Sequence, residues 1–250
     1  MSGHSKWASI KHKKAATDAK KGKEFTKAAS MITVAAKQGG GDPKSNFALR
    51  LAIDKAKSVN TPAANIERAI KKGTGEIGGA APEELLYEGY GPAGTAILVE
   101  IMTDNRNRTG PEIRTIFSKH GGTMADTGSV AYLFNHVGEL VVLKGNQEMN
   151  GDDIEMAILE SGADDFEEDD DEYIIYSKPT FLQKVKEALD GQNIKLDTAQ
   201  LVYKPQNLIK ISDTETARKI LKLIDFTEEN EDVTNVYSNF DIPEELMDQL

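Results

Sequence analysis

The chain has 250 residues, 39% hydrophobic and 28% charged, with a formal net charge of −11. That length predicts two or three domains with separate cores. No apolar run approaches the roughly 18 residues of a membrane span and no secretory core follows Met1, so a soluble protein is expected. Cysteine is absent, which excludes disulfides, thiolate zinc sites, iron–sulfur ligation and cysteine nucleophiles, and suits a reducing cytoplasm.

The total charge hides an asymmetry. Residues 1–75 carry 16 Lys and Arg against 5 Asp and Glu, a net of +11, whereas residues 76–250 carry a net of −22. The two parts prefer opposite partners, and the local sign, not the total, governs whether a polyanion is bound.

Residues 2–23 place lysines at 6, 11, 13, 14, 20, 21 and 23 among few large apolar residues, which predicts a basic arm. From Glu24 onward, Phe25, Ala28, Ala29, Ile32, Ala35 and Ala36 form one helical stripe ending at Gly39-Gly40-Gly41. Asp42-Pro43 predicts the start of a second helix that runs to about Lys57 and buries Phe47 and Leu51. Thr61-Pro62 opens a third, with Ile66, Ala69 and Ile70 inward and Gly73 as its stop. Three short helices make a small basic bundle.

The stretch 73–82, "GTGEIGGAAP", reads as a linker. Its G-x-G-x-x-G match lacks the preceding strand and following helix that a dinucleotide site requires. Beyond it, "LLYEGYG" and "GTAILVEIMT" form a hairpin around Gly91-Pro92-Ala93-Gly94. A helix at about 108–120 leads to the strand "SVAYLFN". Residues 138–204 then supply the order β-α-β-β-α-β of a ferredoxin-like domain, and the tail supplies a helix (213–225) and the strand "DVTNVYSN". Residues 83–137 lack one helix and one strand, which 207–240 offer. The expected fold is therefore a small N-terminal helical bundle followed by two ferredoxin-like α+β domains, the third inserted in the second. The expected boundaries are 1–75, 76–137 plus 205–250, and 138–204.

Candidate chemistry is sparse. His4, His12, His120 and His136 lie in no metal-ligand spacing, and no triad or phosphate loop is present. The sequence thus predicts no catalytic residues, no cofactor and no metal. "DDFEEDDDEY" places eight carboxylates in the nine positions 164–172 without calcium-loop spacing. It reads first as a solvated hairpin turn, with cation binding or docking to a basic protein as alternatives. "TDNRNRTG" (103–110) sets Arg106 and Arg108 between a strand and a helix N-terminus. Either this is an anion site, or a capped loop with Asp104 paired to an arginine. In the arm, Lys6, Lys11, Lys13, Lys14, Lys20, Lys21 and Lys23, with Trp7, His4 and His12, suit phosphate neutralisation and stacking on an exposed base, and predict weak sequence selectivity.

"GHSKWASIKHKK", "GGGDP", "YEGYGPAGTAILVE", "TDNRNRT" and "GSVAYLF" resemble, in order and along essentially the whole chain, the signature stretches of the YebC/PmpR family, which includes the mitochondrial translational activator of cytochrome c oxidase. The resemblance implies a helical N-terminal domain, two α+β domains, no enzymatic activity, and a DNA-binding transcriptional regulator. It implicates Lys6, Trp7, Lys11, His12, Lys13 and Lys14, and the loop Asn105, Arg106, Asn107 and Arg108. The resulting expectation is a non-enzymatic, cytoplasmic, nucleic-acid-binding regulator, its acidic domains orienting it or recruiting a protein. The alternative is a ribosome-associated translation factor that binds ribosomal RNA or tRNA. A third reading, from the enzyme class, uses Arg106 and Arg108 on a phosphorylated substrate.

Overall fold

The computed structural model describes residues 18–247 and 249–250. Two compact units emerge: residues up to 134 together with 205–250, and residues 135–204.

The first unit begins with three helices, α1 (Asp18–Gly39), α2 (Phe47–Ser58) and α3 (Ala63–Gly73). Ala28, Ile32, Ala35 and Ala36 of α1 pack with Leu49, Ala52 and Ala56 of α2 and Ile66 and Ala69 of α3. Small residues let the helices approach closely. Gly73 is the extreme case, because a Cβ there would run into the Thr33 carbonyl oxygen and the Ala36 side chain. Its role is thus close packing; the left-handed stop falls two residues later, at Gly75 (φ 80°).

The second helix starts a turn later than Asp42-Pro43 predicts. Asp42 closes a turn, its Oδ1 accepting from Lys44 N (2.9 Å), and Asn46 caps α2 by accepting from Leu49 N (3.0 Å). The Asn46 amide also donates to the carbonyls of Ala35 and Gly40 (2.8 Å each), which pins the end of α1. This shift rotates the buried stripe, so Phe47 and Leu51 are only half-buried while Leu49 is fully buried.

Strands β1 (Glu83–Tyr90) and β2 (Ala96–Thr103) form an antiparallel hairpin. Helix α4 (Arg106–Lys119) leads to β3 (Thr123–Met124), which pairs with β1. After the second unit come β8 (Ile209–Lys210), α7 (Thr214–Glu228), β9 (Val233–Ser238), β10 (Phe240–Asp241) and α8 (Glu244–Met247). The main sheet has the order β3-β1-β2-β9, and β8 pairs separately with β10. This order differs from the ferredoxin-like arrangement expected for the domain. The chain enters it through a hairpin, so β1 and β2 occupy the centre, and the strands that return after α4 and α7 are left the two edges.

One face of this sheet buries Ile97, Val99 and Ile101 against Ile113 and Phe117 of α4 and Leu223 of α7. The opposite face carries Glu84, Leu86 and Glu88 of β1 and Leu98, Glu100 and Met102 of β2. Here α1 approaches: Gln38 Nε2 lies 3.5 Å from Glu84 Oε2, and Leu98 is fully buried. The glycine-rich stretch 73–82 is thus no free hinge between bundle and sheet, because α1 belongs to the same compact unit.

On that face Glu100 accepts from Asn235 Nδ2 (2.8 Å) and the Tyr237 hydroxyl (3.0 Å). Burial pushes its carboxyl above the ordinary range, more than these two bonds lower it, and the nearby Glu84 adds to the rise. A carboxyl raised on folding binds its proton better in the native state, so its contribution falls as pH rises from the unfolded value of about 4.5 through the folded one. Glu100→Gln is expected to be neutral to stabilising by about 1 kcal/mol at pH 7, an advantage that urea unfolding midpoints should show vanishing near pH 4.

The second unit comprises β4 (Phe134–Leu143), α5 (Gly151–Glu160), β5 (Asp165–Glu168), β6 (Glu172–Ser177), α6 (Leu182–Gly191) and β7 (Thr198–Pro205), with sheet order β5-β6-β4-β7. That is the strand order of the β-α-β-β-α-β arrangement. Leu140 stands opposite Ile175 and Val142 opposite Tyr173, and the core continues into Ile154 and Ile158 of α5 and Leu182, Val185 and Leu189 of α6.

The strand expected at "SVAYLFN" does not form. Ser129 and Val130 lie in a loop, Ala131–Leu133 make a 3-10 turn, and Phe134 already begins β4. The cause is Glu88, whose carboxylate accepts from the backbone N–H groups of Gly128 (2.6 Å), Val130 (2.6 Å) and Ala131 (2.8 Å). Donors consumed in this way cannot ladder onto a neighbouring strand, and the third strand of the first sheet falls to Thr123–Met124.

Candidate nucleic-acid interface

Lys6, Trp7, Lys11, His12, Lys13 and Lys14 lie outside the described residues, while Lys20 and Lys21 lie on α1 with only their backbone described. The described part of the bundle nevertheless keeps the charge bias, with ten basic residues against four acidic between 22 and 75.

Two of those cations tie α1 to the end of α7. Lys23 Nζ donates to the Glu229 carbonyl (2.8 Å) and Lys27 Nζ to the Glu228 carbonyl (2.6 Å). Both carbonyls sit at the C-terminal end of α7, where unpaired C=O groups and the helix dipole favour a positive charge. Lys27 is nearly buried there. Lys23, read from sequence as part of the arm, is therefore a fastener between α1 and α7.

Arg50 is also engaged, donating to the carbonyls of Pro43 and Lys44, and of the other seven bundle cations Lys37, Lys44, Lys57, Arg68 and Lys71 are exposed while Lys55 and Lys72 are half-buried. Among the described residues, Lys37, Lys44, Lys55, Lys57, Arg68, Lys71 and Lys72 have no ion-pair partner. Lys37 lies in the last turn of α1, Lys55 and Lys57 in that of α2, and Lys71 and Lys72 in that of α3. Each helix end thus gains a dipole-compensating charge. Gly73 packs against Thr33, Ala36 and Lys37, which sets the lysine-bearing ends of α1 and α3 side by side, and Arg68 and Lys71 share one exposed stripe of α3.

The "TDNRNRT" segment is a capped helix start organised around a residue that sequence reasoning missed. Asn105 caps α4, its Oδ1 accepting from Arg108 N (3.2 Å). Arg108 reaches back to Asp232, just before β9, and donates to both carboxylate oxygens (2.9 and 2.7 Å). The Thr109 hydroxyl is 2.6 Å from Asp232 Oδ2 and the Thr103 hydroxyl 3.1 Å from it. Asp104, the carboxylate expected to pair with an arginine, lies 3.8 Å from Arg108 and plays the lesser part. The clasp pushes the Arg108 guanidinium further above its ordinary value, chiefly through the hydrogen bonds to Asp232. Only the "EDVTN" segment carries Asp232, and no local pattern in the sequence tied it to an arginine 124 positions earlier.

Arg106 is left pointing outward, 62% exposed, with Glu83 4.0 Å away. Arg108, Glu112, Glu229, Asn230, Glu231 and Asp232 line a shallow surface depression of about 360 Å³. Four carboxylates against one already paired arginine make this a poor anion site, which removes the structural basis for a phosphorylated substrate here.

The signature stretches "YEGYGPAG" and "GSVAYLF" also meet. Glu88 grips the second from within the first, and the Tyr90 hydroxyl donates to the Ser129 carbonyl (2.9 Å). Among the described residues no cluster of three or more His, Asp or Glu is placed to hold a metal ion, and no helix is long and apolar enough to cross a membrane.

A basic three-helix layer packed on one α+β sheet, followed by a separate acidic α+β unit, defines a multidomain protein built around its surface charge. The sequence comparisons give that class a family. Residues 5–76 match the TACO1/YebC protein N-terminal domain, and residues 82–240 match the TACO1/YebC second and third domain. The chain belongs to the TACO1/YebC family. It is 49% identical over 250 residues to a probable transcriptional regulatory protein of Halothermothrix orenii, covering 100% of this chain and 99% of that one. A protein of Citrifermentans bemidjiense with the same name is 51% identical over 250 residues, with both chains covered completely. Among solved structures, a conserved hypothetical protein of Aquifex aeolicus superposes with a TM-score of 0.86 at 45% identity, covering 94% of this chain and 96% of that one.

Proposed function

We propose that this chain is a non-enzymatic regulator of transcription in the cytoplasm that binds DNA through its lysine-rich N-terminal stretch and the outward cations of the helical layer. The observation that carries this reading is the set of seven bundle cations without a carboxylate partner among the described residues, next to the lysine-rich stretch in sequence. Unpaired cations on one layer suit a phosphate backbone, and lysine-dominated contacts supply affinity with little base readout. The names of the relatives point the same way. In this reading Lys6, Trp7, Lys11, His12, Lys13, Lys14, Lys20 and Lys21 act with the bundle, Arg106 extends the surface, and Lys23 and Arg108 hold the scaffold.

Duplex DNA binding measured against salt tests this. The logarithm of affinity should fall with a slope of about −0.9 per neutralised phosphate, and the Arg68→Glu, Lys71→Glu, Lys72→Glu triple variant should flatten it by about 2 to 3. A salt-independent affinity in the intact protein overturns the proposal. Cross-linking in cells followed by sequencing should recover promoter DNA; recovery of ribosomal RNA instead overturns the DNA assignment.

A further inference from the structure

The acidic second unit has a surface that the nucleic-acid reading does not use. Residues 135–204 carry 6 lysines, no arginine and 17 Asp and Glu, so this unit repels a polyanion. Helix α5 contributes Asp152, Asp153, Glu155 and Glu160 and no basic residue. Its inner face buries Ile154, Ala157 and Ile158. Its outer face presents Met156 and Leu159, 58% and 66% exposed.

At 100° per residue, Asp152, Met156 and Leu159 fall within about 60° of one another, with Glu155 on one side and Glu160 and Asp153 on the other. Single exposed apolar residues are ordinary; two large ones on adjacent turns, framed by carboxylates, form a patch with a defined complement. The frame is also unneutralised. The unit's ion-paired lysines engage Glu168, Asp190, Glu148 and Glu167, and Asn150 and Tyr173 supply the polar contacts of Asp153 and Glu155. Among the described residues no cation pairs with a carboxylate of α5.

We infer that this face docks the lysine-rich N-terminal segment of a second copy of the chain. That segment has the matching chemistry, with Trp7 and Ile10 three positions apart among Lys6, Lys11, Lys13 and Lys14. The apolar pair meets Met156 and Leu159, and the lysines meet the surrounding carboxylates, whose attraction weakens as salt screens it. A basic end meeting an acidic unit is a head-to-tail contact, so association grows with concentration instead of closing at a two-fold dimer. The same lysines serve the proposed nucleic-acid surface, so DNA and self-association compete.

The experiment is fluorescence anisotropy of a labelled peptide spanning residues 2–23, titrated with the full-length protein at low salt without nucleic acid. Binding is expected, and Met156→Ser with Leu159→Ser in the protein, or Trp7→Ala with Ile10→Ala in the peptide, should each weaken it about tenfold. The protein substitutions lie on an exposed face and should leave the thermal midpoint unchanged. Sedimentation velocity of the full chain should show salt-sensitive, concentration-dependent association that the Met156/Leu159 variant loses. Absence of peptide binding overturns the inference, as does equal binding by the serine variant, which would mark diffuse attraction to the acidic hairpin. Failure here leaves the DNA proposal standing, since no nucleic acid enters the assay.

Discussion

Glu88→Gln should cost the first unit about 3 kcal/mol, because a neutral amide replaces a carboxylate that accepts three buried or half-buried backbone N–H groups. Gln offers one acceptor oxygen and turns an NH2 group toward the remaining donors, in a site only 3% exposed. Burial alone would push the Glu88 carboxyl up; the bonds from Gly128, Ala131 and Val130 outweigh it and hold the group below its ordinary value. A carboxyl lowered on folding contributes stability above its unfolded value, about 4.5, and loses it as pH falls through the folded one. Urea unfolding of wild type should therefore weaken on the acid side of about pH 4.5, and in the variant that acid-side slope should flatten. Equal midpoints at pH 7 would show that the loop 128–131 is held by something else.

The second large effect is expected at Asp232. Asp232→Ala removes both oxygens on which Thr103, Thr109 and Arg108 now converge, and the loss of the threonine bonds alone should cost about 2 kcal/mol. Because the clasp joins the start of α4 to the approach of β9, hydrogen exchange should quicken at both places and leave the second unit unchanged. Arg108→Ala should produce the same exchange pattern with little change in the DNA salt slope. A loss of slope equal to that of the bundle triple variant would return Arg108 to the binding surface.

Much of this architecture was legible in the sequence, for a reason visible in particular elements. Helices α1 and α3 announce themselves because Ile32, Ile66 and the intervening alanines recur at helical spacing with glycine near their ends. Asp42-Pro43 places the start of helix α2 a turn too early, because a cap followed by proline is a strong local signal; the cap that forms, Asn46, is fixed by its reach to Ala35 and Gly40, a tertiary fact. "SVAYLFN" has the alternation of a strand, yet a carboxylate some forty positions earlier claims its donors. Strand order in the first sheet is hidden for a similar reason, since β3 is two residues long and carries almost no signal of its own.

The candidate surface divides along the same line. Charge bias belongs to composition and survives folding, so the basic layer could be anticipated. Which cations remain available depends on neighbours distant in sequence: Lys23 is taken by a carbonyl 206 positions away and Arg108 by a carboxylate 124 positions away. Neither pairing leaves a local trace.

The chain leaves the first unit after Phe134 and re-enters it at Pro205. Just inside, Gln206 N donates to the Leu133 carbonyl (2.9 Å) and its side-chain amide to that of Tyr132 (2.9 Å). Exit and return are therefore stapled together on the host's own side, and the seventy residues beyond form an excursion whose removal would require only a short turn to bridge. A lineage could lengthen, recharge or discard that guest without reopening the sheet that hosts it.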